Sequence, residues 1–140
     1  MNLSIIATKV STIMTKDVVT VDMDTSLKTI CAIFEKRKFH HLLVVEDEKM
    51  FGVISDRDVL KALSPFLNTL AEQARDLSTL KKRAHQIMSR KPVTITKDVD
   101  LKDATRLMLQ ENISCLPVIS LDGEIEGIIT WKDLLKAYSQ

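Results

Sequence analysis

Apolar and polar positions along this chain switch between two periods, and the switches come in the same order twice. Residues 18–21 form a short β-branched run that predicts an extended segment. Leu27, Ile30, Cys31 and Phe34 follow at the i, i+3, i+4, i+7 spacing of an amphipathic helix, with Asp24 as its expected N-cap. Residues 42–45 and 51–54 then read as two strands joined by a polar turn. A closing helix starts at Ser55 and carries Val59, Leu60 and Leu63. The second half runs through the same series. Residues 93–95 are extended, and Leu101, Ala104, Leu107 and Met108 form a helical stripe behind Asp98 or Asp100. Residues 116–119 and 125–129 read as strands, and a helix from Thr130 carries Leu134, Leu135 and Tyr138. Each half is therefore predicted as β-α-β-β-α, an α+β arrangement.

The two halves also match residue by residue. At an offset of 74, Ile13-Met14-Thr15 recurs as Ile87-Met88-Ser89, and Val19-Thr20-Val21 as Val93-Thr94-Ile95. Leu42-Leu43-Val44-Val45 recurs as Leu116-Pro117-Val118-Ile119. One inserted turn residue changes the offset to 75, and the segment from Gly52 to Asp58 then faces the segment from Gly127 to Asp133. The chain reads as a tandem duplication. It divides into residues 1–62, a first motif with its lead-in, residues 63–83, an insert, and residues 84–140, a second motif. In the insert, Ser64-Pro65 resembles an N-cap followed by proline at the first helical position. Leu67, Leu70, Ala74, Leu77 and Leu80 continue at helical spacing, which predicts a helical insert rather than a flexible tether.

Composition narrows the function classes. Of 140 residues, 45% are hydrophobic and 28% charged, proportions of a folded domain rather than a disordered one. Twenty basic against nineteen acidic side chains give a formal charge of +1, which argues against a general nucleic-acid binder. Cys31 and Cys115 sit among apolar residues without a CxxC or Cys/His cluster, and are expected to be reduced core thiols. No apolar run approaches the ~18 residues of a membrane span, and the N-terminus lacks signal-peptide features; the expected location is cytoplasmic. There is no Ser-His-Asp arrangement, no GxxxxGK[ST] loop and no metal-ligand spacing, so neither an enzyme nor a metal site is expected. Trp131 and the six methionines read as packing residues, His85 as structural, and Lys81-Lys82-Arg83 as a solvated helix end.

The Ile-Met-Thr/Ser lead-ins, the Val-Thr-Val/Ile segments, the Leu-Leu-Val-Val and Leu-Pro-Val-Ile strands and the closing Gly-h-h-Ser/Thr-x-Arg/Lys-Asp segments (h apolar) together resemble the CBS-domain family. The likeness is to a stand-alone CBS pair, or Bateman module, similar to small bacterial proteins of the acetoin-utilisation type. It covers the chain apart from the first ten residues and the insert, and Leu43 stands where the family often has proline. The resemblance implies two repeats about a pseudo-two-fold axis, with clefts that bind adenosine-containing ligands (AMP, ADP, ATP or S-adenosylmethionine). It also implies homodimerisation, a regulatory role in which ligand favours one arrangement of the repeats, and no required cofactor. The alternative is a ligand-free interaction or scaffold module acting through dimerisation or a protein partner.

Candidate residues follow from chemistry and resemblance together. Ser55 and Asp58, like Thr130 and Asp133, stand three apart at a strand-to-helix junction, where first-turn N–H groups attract anions. A carboxylate there suits the two ribose hydroxyls, with Arg57 and Lys132 as phosphate partners. The same Ser/Thr-x-x-Asp spacing is also a capping box that stabilises a helix without any ligand, and both readings stand. The resemblance adds His40 and its counterpart Ser114 at the clefts, and gives the segments Thr20-Val21-Asp22 and Thr94-Ile95-Thr96 the task of reading the adenine edge through their backbone.

Overall fold

In the computed structural model the described residues run from Thr8 to Ser139. In chain order the first elements are α1 (Val10–Ile13), β1 (Thr20–Asp22), α2 (Leu27–Lys36), β2 (His41–Glu46), β3 (Lys49–Ser55) and α3 (Asp56–Ala62). The insert carries α4 (Ala74–Leu77) and a 3-10 turn at Ser78–Lys81. The rest comprises α5 (Ala84–Ile87), β4 (Ser89–Arg90), α6 (Leu101–Glu111), β5 (Cys115–Ile119), β6 (Ile125–Thr130) and α7 (Trp131–Tyr138). The expected β-α-β-β-α order is present in the first half, and the α-β-β-α part of it in the second.

Two compact units divide the chain, and their boundaries differ from those of the sequence repeats. One is Val19–Lys91; the other, among the described residues, joins residues 8–18 to residues 92–139. Each unit therefore holds the body of one repeat and the Ile-Met-Thr/Ser lead-in of the other.

In the Val19–Lys91 unit, four strands lie in the order β1-β2-β3-β4, with β1 parallel to β2 and the remaining pairs antiparallel. Leu27, Ile30, Leu42, Val44, Ile54 and Val59 pack together with Ala84 and Met88 from the second repeat's lead-in. The other unit pairs β5 with β6 and buries Leu101, Ala104, Met108, Leu116, Val118, Ile129 and Leu134 around Val10 of the first lead-in. The lead-ins dock in matching ways. Ser89 pairs with Val53, and Thr15 pairs with Ile128. Met88 lies over Gly52 and Met14 over Gly127, so near that a Cβ on either glycine would meet the methionine Sδ at 2.5 and 2.8 Å.

Leu43 and Pro117 explain the main difference between the halves. The Leu43 N–H donates to the Val19 carbonyl at 3.1 Å, one of the bonds that make β1 a strand. Pro117 has no N–H to offer Val93. The predicted strand at 93–95 accordingly shrinks to a parallel bridge between Ile95 and Val118.

One local expectation is corrected, and one open alternative is decided. Asp24 does not cap α2; its N–H is held by Asp22 Oδ1 at 2.9 Å in a turn, and Ser26 is the N-cap, accepting from the Thr29 N–H at 3.2 Å. In the second half Asp100, not Asp98, holds the N-cap position of α6.

The insert is ordered, but it is a series of turns leading into α4 and the 3-10 turn rather than one helix. Asn68 adopts φ 60° and breaks the run, and Leu70 is fully exposed. Its organising residue is Asp76, 5% exposed, whose carboxylate accepts from the Ser64 hydroxyl at 2.7 Å and the Gln73 N–H at 2.8 Å. The Ser64 hydroxyl, followed by the Gln73 N–H, holds the Asp76 pKa below its ordinary value. The basic run is likewise more than a solvated end. Lys82 Nζ donates to the Ala62 carbonyl at 2.8 Å, capping the end of α3, and Arg83 Nη1 donates to the Asp24 carbonyl at 3.0 Å.

Candidate functional site

Both strand-to-helix junctions are complete capping boxes. The Ser55 N–H donates to Asp58 Oδ2 at 2.9 Å, and the Asp58 N–H donates back to Ser55 Oγ at 3.1 Å. At the second junction the Thr130 N–H donates to Asp133 Oδ2 at 3.0 Å, and the Asp133 N–H to Thr130 Oγ1 at 3.3 Å. The strand ends at the hydroxyl residue because its side chain satisfies the helix's first orphan donors in place of further pairing. The box uses Oδ2 and fixes each carboxylate on the rim of its helix, half-buried rather than turned out into solvent. Capping thus positions the acid without consuming it, since a carboxylate offers about four lone-pair sites.

Arg57 and Lys132 stand at equivalent exposed first-turn positions, and among the described residues neither has an ion-pair partner. His40 is engaged differently. Its Nδ1 lies 2.9 Å from Asp56 Oδ2, and its carbonyl accepts the Asp56 N–H at 2.9 Å. A phosphate approaching this imidazole therefore competes with Asp56. The Ser114 carbonyl plays the matching backbone part, accepting the Trp131 N–H at 3.1 Å. His41, the next residue, opens β2 half-buried, and burial lowers its pKa against the opposing charge of Asp56.

The two extended segments divide their groups in the same way. Ile95 donates to the Pro117 carbonyl at 3.1 Å and accepts from the Ile119 N–H at 2.9 Å, and its side chain is buried. The register of β1 on β2 commits Val21 likewise, with its side chain in the core. Val21 and Ile95 thus have both backbone groups engaged in strand pairing, which leaves one lone pair on each carbonyl. Asp22 is also occupied locally: its N–H donates to Thr25 Oγ1 at 3.2 Å and its carbonyl accepts the Thr25 N–H at 3.3 Å. The outward-facing backbone groups belong to Thr20 and, by the matching register, Thr94.

Sequence reasoning missed Thr15, which stands 3.2 Å from Asp133 Oδ1 and 3.3 Å from Oδ2 through its hydroxyl. Nothing in a local pattern links residues 118 positions apart; only the recurrence of the lead-in marks Thr15 out. Also unforeseen is a groove of about 300 Å³ beside Asp58, lined by Lys61, Ala62, Lys82, Gln86 and Ile87. Trp131, expected to be a packing residue, is 40% exposed and anchored by Nε1 donating to the Ile113 carbonyl at 3.2 Å. Among the described residues no three His, Cys, Asp or Glu side chains gather as metal ligands, and no helix is long and apolar enough to cross a membrane.

The family model of the CBS domain matches residues 10–65 and 84–140. A CBS domain-containing protein of Dictyostelium discoideum is 34% identical over 128 residues, spanning 90% of this chain and 88% of that protein. Among solved structures, the CBS domain pair of protein MJ0100, in complex with 5'-methylthioadenosine and S-adenosyl-L-methionine, is similar with a TM-score of 0.79 and 26% identity. That similarity covers 95% of this chain and 97% of the other. CBSX2 in complex with AMP is similar with a TM-score of 0.77 and 26% identity, over 94% of this chain and 96% of that one.

Proposed function

The chain belongs to the CBS-domain family, with one CBS domain in each repeat, and from that premise we propose a non-catalytic regulatory module that binds an adenosine-containing nucleotide. AMP is the first candidate among AMP, ADP, ATP and S-adenosylmethionine, because one phosphate needs little positive charge and each junction offers one cation, Arg57 or Lys132. The observation that carries the reading is the repeated placement of Asp58 and Asp133, each held by its own helix cap at the rim of a strand end. A carboxylate so held accepts the two hydroxyls of a ribose, and Thr20 or Thr94 presents backbone groups to a base. Two similar structures with adenosine-containing ligands support the class of ligand.

A second reading is favoured by the outer face of α7. Trp131, Leu135 and Tyr138 recur there at i, i+4, i+7 and are 40%, 64% and 44% exposed. Such a stripe fits association with a second copy or another protein.

Thermal unfolding of the whole chain with each of the four ligands separates the readings. A ligand at 100 times its Kd adds about 2.7 kcal/mol to stability, so the expected result is a melting temperature raised by several degrees with at least one adenosine compound. An unchanged melting temperature with all four at millimolar concentration overturns the nucleotide reading in favour of the association module.

A further inference from the structure

The two aspartates are equivalent in sequence and unequal in structure. Asp58 Oδ2 accepts the Ser55 N–H, and among the described residues nothing donates to Oδ1. Asp133 is crowded. Its Oδ2 accepts the Thr130 N–H at 3.0 Å and the Thr130 hydroxyl at 3.1 Å, and the Thr15 hydroxyl reaches both oxygens. Thr15 is fixed there by reciprocal backbone bonds with Ile128 of 2.8 and 2.9 Å. Its counterpart, Ser89, docks on Val53 in the same manner, yet among the described residues its hydroxyl forms no hydrogen bond with Asp58, whose side-chain and N–H bonds are both to Ser55. Asp58 also borders the open groove of about 300 Å³.

We infer that Thr15 sets the order in which the two carboxylates take up ligand, because it occupies with an internal hydroxyl the acceptor surface of Asp133 that a ribose hydroxyl would use. The inference rests on the reading of both aspartates as ribose acceptors. At Asp58 a diol finds Oδ1 and one lone pair of Oδ2 ready. At Asp133 it must first displace Thr15, so the gain is one hydrogen bond smaller. Asp58 fills first and more tightly, and Thr15 is the affinity-determining residue of the second site.

Calorimetric titration of the whole chain with AMP tests this. The expected wild-type curve has a tighter event that Asp58→Asn removes and a weaker one that Asp133→Asn removes. Asn keeps an oxygen for the capping N–H, and melting curves check that each variant folds. Thr15→Val keeps the branched shape and deletes the hydroxyl. It should strengthen the weaker event about fivefold, the worth of roughly one hydrogen bond, and leave the tighter one unchanged; Thr15→Ser should behave as wild type. A single wild-type event that Asp58→Asn removes, joined by a second in Thr15→Val, supports the same order. The inference is overturned if Thr15→Val leaves the Asp133 event unchanged or weaker, or if the tightest event survives Asp58→Asn. If AMP gives no heat with the wild type, the titration is run with ADP, ATP and S-adenosylmethionine; no binding by any of the four removes the nucleotide reading, a result distinct from failure of the order inferred here.

Discussion

His41 opens β2 with its ring largely screened from water, and that burial lowers its pKa despite the attraction of Asp56. A histidine whose folded pKa lies below its unfolded value of about 6.5 binds fewer protons when folded. Its contribution to stability is then fully present above the unfolded value and lost as pH falls through the folded one. Melting temperature should therefore drop on acidification from pH 7.5 to 5.5, and less steeply in His41→Asn; equal slopes would contradict the assignment. The same residue scale shows where local pattern is legible. Ser55 and Thr130 were readable as caps because hydroxyl, spacing and acid all lie within four residues. The cap of α2 was not, because Asp22 captures the Asp24 N–H and leaves Ser26 to start the helix. Thr15 was invisible as a site residue, since its partner is distant in sequence.

At the scale of elements, each lead-in docks on a strand through a methionine over a glycine. A Cβ at Gly52 would sit 2.9 Å from the Ser89 carbonyl oxygen as well as against Met88, and one at Gly127 would sit 2.9 Å from the Thr15 carbonyl. Backbone at that distance cannot swing aside as a side chain can. Gly52→Ala and Gly127→Ala should each destabilise the fold by roughly 1–3 kcal/mol, read as a lowered urea midpoint. A midpoint unchanged in both would contradict the docking. The helical stripes were legible from periodicity because each buries one face in its own core, and the strands as short continuous apolar runs, buried at consecutive positions such as Leu42, Leu43 and Val44. The insert was misread for a related reason. Its leucines are spaced as in a helix, but the buried Asp76 and its bonds to Ser64 and Gln73 organise it instead, so polar satisfaction overrode the apolar pattern. One missing N–H at Pro117 likewise decided strand against bridge.

For the molecule as a whole, the duplication was legible in full, because Gly52–Asp58-type junctions recur with their spacing intact in Gly127–Asp133. The exchange of lead-ins was not. In sequence Met14 belongs beside Val19, whereas in the fold it covers Gly127, and adjacency along a chain carries no signal of such a crossing. The functional claim depends on that arrangement, since the lead-in delivers Thr15 to one carboxylate and leaves the other open. Its most direct test compares AMP with 2',3'-dideoxy-AMP, which keeps base and phosphate and lacks both ribose hydroxyls. If Asp58 and Asp133 grip the sugar, the dideoxy compound should bind at least about tenfold more weakly, and Asp58→Asn should narrow that gap. Equal affinities for the two compounds would contradict the account.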